Sequence, residues 1–162
     1  MIRSILGTCA IVLLTIGSPA SAQRAYTAQD VANGAGIVYK KEIRQKVVQG
    51  PTMTFRDVGK GNIGYMLWGY MSQNGPYFRL VGLPYRNMRQ VTSVRFEGHA
   101  RPPEFTPQKR LVNVQMGFGI DVYRKALSEG LTVHLTGDVE KTFTVPKEYF
   151  QGYDAWWRKT YN

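Results

Sequence analysis

Between Ile37 and Val145 the apolar residues recur largely at every second position, in short runs closed by glycine, proline or asparagine. That spacing places one side of an extended chain against a core and the other in water, so it predicts strands. Gly36 to Lys40 and Ile43 to Val48 are rich in β-branched residues and stop at Gly50-Pro51. Thr52 to Val58 sets Met53, Phe55 and Asp57 against Thr52, Thr54 and Arg56, and Gly59 to Asn62 reads as a turn. The strongest turn signal is Asn74-Gly75, joining Ile63 to Ser72 with Tyr77 to Leu83, because both residues tolerate positive φ in a tight hairpin. Ile63 to Met71 is apolar on both faces, which puts it at the centre of a sheet with cover on each side.

Val91 to Ala100 and Arg110 to Phe118 follow as strands, the second with Val112, Val114, Met116 and Phe118 toward the core. The intervening segment 101–107 holds three prolines without backbone donors and is confined to a loop or an edge. The period then changes. Ile120 to Glu129 carries Ile120, Tyr123, Ala126 and Leu127 on one side of a helix, and Gly130 supplies a left-handed stop. Leu131 to Thr136 and Val139 to Val145 pair across Gly137-Asp138, and Pro146 opens a tail where Tyr149, Tyr153, Trp157 and Tyr161 recur every four residues. Gly152 weakens that helix. Ahead of the strands, residues 23–36 are either a leader or a short helix capped by Thr27. The pattern as a whole is mainly β. It predicts one domain over residues 37–162, a β-sandwich or partly open β-barrel with one internal helix and a C-terminal aromatic helix.

The first 22 residues follow a different rule. Arg3, the apolar run Ile5 to Ile16, and Ala20-Ser21-Ala22 are the three parts of a cleavable secretory signal, with Gln23 as the first mature residue. The run is too short to cross a bilayer as a helix. Cys9 is the sole cysteine and leaves with the signal, so the mature chain forms no disulfide and no thiolate metal site. No Asn-x-Ser/Thr acceptor occurs. A bacterial periplasmic or secreted protein is the compartment these features predict.

The formal net charge is +10, and its placement says more than its size. Thirteen basic residues lie between Lys40 and Arg110 against four acidic ones, whereas the rest of the mature chain is balanced. From Arg79 to Arg101 every basic residue is arginine, which favours forked recognition of oxyanions over a generic coat of lysines. Tyr85, Arg86, Arg89 and Arg95 are the expected contacts for an anionic partner: a lipid or glycan of the envelope or an acidic protein, with nucleic acid less favoured and peripheral membrane contact allowed. The opposing reading is a solvated surface whose charge confers solubility.

Catalytic signatures are thin. The mature chain has no cysteine, nucleophile elbow, metalloprotease motif or nucleotide-binding glycine loop, and the sequence implies no metal and no cofactor. Its histidines, His99 and His134, are far apart in sequence. On a continuous strand Glu97 and His99 share a face, the one arrangement suited to acid–base chemistry. Tyr65, Trp68, Tyr70, Tyr77 and Phe78 read either as a stacking platform for bases or sugars or as the covered centre of a sheet. The tail aromatics read as a helix docked on the sheet, a membrane-interface element or a partner anchor.

Ala126-Leu127, Gly130-Leu131-Thr132-Val133, the hairpin after it and Gly152-Tyr153-Asp154-Ala155 resemble the end of the invasion-associated locus B proteins, although that family's typical cysteines are absent here. The resemblance covers the C-terminal part alone. It implies a small exported domain of strands that acts by binding. Residues and resemblance together predict an exported non-catalytic binding module of the bacterial envelope. The alternatives are a structural subunit of an envelope or secretion assembly, and a glycan or cell-wall hydrolase using Glu97 and His99.

Overall fold

A computed structural model describes residues 26–41, 43–57, 61–83, 90–105, 113–138 and 140–161; residues 1–22, expected to be a secretory signal, lie outside these. Thr27 caps the first helix, α1 (Ala28–Gly34). Its hydroxyl accepts from the Asp30 N–H while the Asp30 carboxylate accepts from the Thr27 N–H. Strands β1 (Gly36–Lys40), β2 (Gln45–Gln49), β3 (Met53–Asp57), β4 (Gly61–Ser72) and β5 (Gly75–Leu83) come next, followed by β6 (Val91–Phe96), β7 (Glu104–Phe105) and β8 (Val114–Gly119). The second helix, α2 (Ile120–Glu129), leads to β9 (Leu131–Gly137), β10 (Lys141–Val145) and the terminal helix α3 (Lys147–Tyr161).

The strands form two antiparallel sheets. The large one runs β1-β2-β4-β5-β8-β7, with β3 continuing beside β4 past β2; the small one runs β10-β9-β6. The expected central strand is β4, and it does carry apolar residues on both faces. Its hairpin with β5 turns one residue earlier than Asn74-Gly75 suggested. Ser72 closes against Gly75, Gln73 and Asn74 form the tip, and only Gly75 takes positive φ, at 101°. Gly130, at φ 81°, ends α2 where expected.

One core lies on the inner face of the large sheet. Tyr65, Leu67, Phe78, Leu80, Met116 and Phe118 supply it, and the small sheet, α2 and α3 cover it. Phe96 meets Phe118 edge-on with ring centroids 5.6 Å apart, Tyr65 faces Phe143 at 6.1 Å, and Phe78 stacks on Tyr123 at 3.9 Å. The fold is therefore a β-sandwich-like body whose second layer is part sheet and part helix.

Helix α3 also repairs the large sheet. At Gly50-Pro51 the chain passes from β2 to β3, and the seam with β4 is bridged by side chains. The Tyr149 hydroxyl accepts from the Leu67 N–H (3.0 Å) and donates to the Pro51 carbonyl (2.8 Å). One turn on, the Tyr153 hydroxyl donates to the Val48 carbonyl (2.8 Å). At the end of the helix, the Tyr161 hydroxyl donates to the Lys46 carbonyl (2.9 Å). The four-residue recurrence seen in the sequence thus places phenols along one seam, where each satisfies a β2 or Pro51 carbonyl and Tyr149 also satisfies the Leu67 N–H of β4. Gly50 permits this, because a Cβ there would stand 2.6 Å from the Tyr149 oxygen.

Gly152 is more than a weak point in α3. A Cβ at that position would stand 2.2 Å from the Ala28 carbonyl oxygen, so glycine is what lets α1 lie directly on α3. The Trp156 indole N–H then donates to the Ala32 carbonyl at 2.7 Å.

Candidate functional site

Because strand side chains alternate, the residues of β4 and β5 that do not enter the core face outward together. Ladder register aligns them into a row crossing five strands: Gln49 opposite Trp68, Trp68 opposite Arg79, Arg79 opposite Gly117, and Gly117 opposite Glu104. Arg79 sits in the middle. Its guanidinium lies 5.0 Å from the Trp68 ring centre and 5.6 Å from that of Tyr77, and it donates to Gln115 at 3.0 Å. The Lys40 ammonium lies 5.5 Å from the Trp68 ring centre, reaching over from β1. Trp68 is only 9% exposed, so its ring serves as a base for the two cations.

Tyr70 and Tyr77 extend the face, 5.4 Å apart. Tyr77 reaches across β8 and donates to the Glu104 carboxylate at 2.6 Å. Gly117 makes that crossing possible, since a Cβ there would overlap the Tyr77 oxygen at 1.7 Å. Burial first, and then the hydrogen bond to Glu104, raise the Tyr77 phenol above its ordinary range. Beside Trp68, the buried amide oxygen of Gln49 has no hydrogen-bond partner among the described residues.

At the hairpin end the face runs into a cleft of about 640 Å³, walled by Tyr77, His99, Arg101, Glu104, Phe118 and Asp121. Burial, and then the nearby Lys125, lower the His99 pKa, so its imidazole is neutral near pH 7. Its ring stands edge-on to Phe96, with centroids 6.3 Å apart.

The expected pairing of Glu97 with His99 is not what forms. Gly98, at φ 70°, turns the chain just after β6, so the strand ends at Phe96 and the alternation that would align the two residues is lost. Glu97 instead meets His134, Oε2 to Nε2 at 3.0 Å, and His134 Nδ1 meets the Thr142 hydroxyl at 2.9 Å, on the solvent side of the small sheet. Among the described residues no three metal-ligating side chains converge, and no helix is long and apolar enough to cross a membrane.

Of the residues expected to contact an anion, Tyr85, Arg86 and Arg89 lie outside the described residues. Arg95 is opposite His134 on the outer face of the small sheet. The two sheets share one core, so this face and the Trp68–Arg79 row point away from each other. The aromatic set of the hairpin divides in the same way: Tyr65 and Phe78 are in the core, while Trp68, Tyr70 and Tyr77 face outward. Neither Lys40 nor Arg79 was among the four expected contacts, although Arg79 opens the arginine-only stretch that pointed to oxyanions. The alternation Trp68/Tyr70 and Tyr77/Arg79 across the hairpin was the signal that pairs them.

Compared with models of protein families, with curated proteins and with solved structures, the chain matches none.

Proposed function

We propose that this chain is an exported, non-catalytic binding module that recognises an anionic partner on the outer face of its large sheet. The observation that carries the reading is the Arg79 guanidinium held between Trp68 and Tyr77, with Lys40 on the same indole. A cation fixed in this way has already lost side-chain freedom, so binding an oxyanion costs less entropy than ordering a mobile surface arginine. The planar fork also suits carboxylate, sulfate and phosphate groups. The excess of basic residues between Lys40 and Arg110 adds long-range attraction. The export signal and the C-terminal resemblance to invasion-associated locus B proteins support a role outside the cytoplasm that rests on binding.

The test is binding of the mature protein to a sulfated polysaccharide, to polygalacturonate and to anionic lipid vesicles, each in low and high salt. Replacing Arg79 and Lys40 by glutamine removes two stacked cations, and a loss of about 1 to 2 kcal/mol corresponds to roughly five- to thirtyfold weaker binding. Arg95→Gln, on the opposite side of the body, is expected to change affinity far less. Equal losses at Arg95 and Arg79, or binding indifferent to salt, would overturn the assignment to this face.

A further inference from the structure

Strand β1 stands at the end of the large sheet and pairs with β2 alone among the described strands. It is short, but it lacks the devices that normally blunt an edge: no proline, no bulge, and no charge until its last residue. Ile37, Val38 and Tyr39 are 49%, 39% and 57% exposed, and these three consecutive residues are most of the large apolar side chains left in water among the described residues. They occupy both faces of the strand. Tyr39 shares a face with Lys46 across the ladder, whereas Val38 pairs with Val47 and Lys40 with Gln45 on the other face.

We infer that this edge takes up an acidic extended segment of a partner protein as an additional strand. The main-chain groups of β1 that point away from β2 supply the ladder, and Ile37, Val38 and Tyr39 supply apolar contact on either side of it. Charge selects the occupant. The hairpin joining β1 to β2 carries Lys40, Lys41, Arg44 and Lys46, with Glu42 as its single acidic residue. Lys46 flanks Tyr39 on the inner face and Lys40 looks onto the outer one, so carboxylates at that end of an added strand meet a cation on whichever side they point. A second copy of this chain brings an equal positive charge to the same edge and is disfavoured. The occupant is thus apolar opposite Ile37 to Tyr39 and acidic opposite the hairpin. This inference rests on the anionic-partner reading and names the partner's chemistry.

The test uses the mature protein and a synthetic peptide of alternating valine and threonine that ends in a run of glutamates. Two control peptides accompany it, one with lysines in place of the glutamates and one with alternate amides N-methylated. Amide chemical shifts and hydrogen exchange locate the site. Binding is expected to move the amides of residues 36–40 and to slow their exchange, to weaken about tenfold or more with the lysine peptide, and to vanish with the N-methylated one, which lacks the ladder donors. Tyr39→Glu, at an exposed position, is expected to weaken binding comparably while the protein stays folded.

Peptide contacts confined to the Trp68–Arg79 face, or no peptide binding alongside intact binding of the sulfated polysaccharide, overturn the β1 assignment and leave the anionic-partner reading standing. Failure of both ligands sinks both. Concentration-dependent self-association that Tyr39→Glu abolishes gives the edge to a second copy and also overturns the inference.

Discussion

Replacing Tyr149 by phenylalanine tests whether α3 acts as part of the large sheet or only as its cover. The ring and its edge-on contact with Tyr65, 5.2 Å between centroids, are retained, so packing is nearly unchanged. What goes is one oxygen that accepts from the Leu67 N–H and donates to the Pro51 carbonyl. An unsatisfied buried backbone group costs about 1 to 3 kcal/mol, and water reaches half-buried Pro51 more easily than Leu67, so the expected loss is about 2 to 4 kcal/mol. In a domain of this size that lowers the melting temperature by roughly 6 to 15 °C. Urea unfolding checks the size of the effect. The midpoint should fall with the slope unchanged, and the Leu67 amide should exchange faster in the native state. Tyr161→Phe is the internal control: its hydroxyl donates to the Lys46 carbonyl at the more open end of the helix, where water substitutes, and a loss of about 1 kcal/mol or less is expected. A Tyr149→Phe loss under about 0.5 kcal/mol, or one equal to that of Tyr161→Phe, would refute the view that these phenols complete the strand ladder.

Two further outcomes follow from the same contacts. Gly152→Ala, although it raises intrinsic helix propensity, is expected to destabilise by about 1 to 3 kcal/mol, because the new Cβ drives α1 off α3; a red-shifted tryptophan emission and earlier proteolysis around residues 28–34 would report it, and unchanged or increased stability would count against the close approach. Burial raises the phenol pKa values of Tyr65, Tyr123, Tyr149 and Tyr153 above the ordinary 10.0. The fold favours the protonated form, so the contribution is fully present below pH 10 and is lost as pH rises beyond it. Titration followed by near-ultraviolet absorbance should show these four ionising only together with alkaline unfolding, and independent ionisation in a protein that stays folded would contradict their burial.

The sequence by itself determined the strands, the helices and most of their bounds, because periodicity, glycine stops and proline breaks act within a few residues. Ile120–Glu129 with Gly130 behind it, and the inward set Val114, Met116 and Phe118, were legible in this way. The four-residue spacing of the tail aromatics likewise announced a helix with one buried side. Tertiary structure alone decided what that side does, since the bridges from Tyr149 and Tyr153 join groups more than eighty residues apart. It also decided the site. Arg79, Trp68, Gly117 and Glu104 become neighbours through register across separate strands, and charge counted along the chain carries no trace of that row. One local misreading and one incomplete reading have the same origin. Gly98 ended β6 one residue before Glu97 and left His99 off the strand, so that Glu97 met His134 from another strand instead. Gly152, weak by propensity, proved to be the contact point of a helix crossing. Local chemistry fixes how a segment folds, whereas the partners of each side chain depend on which segments the core brings face to face.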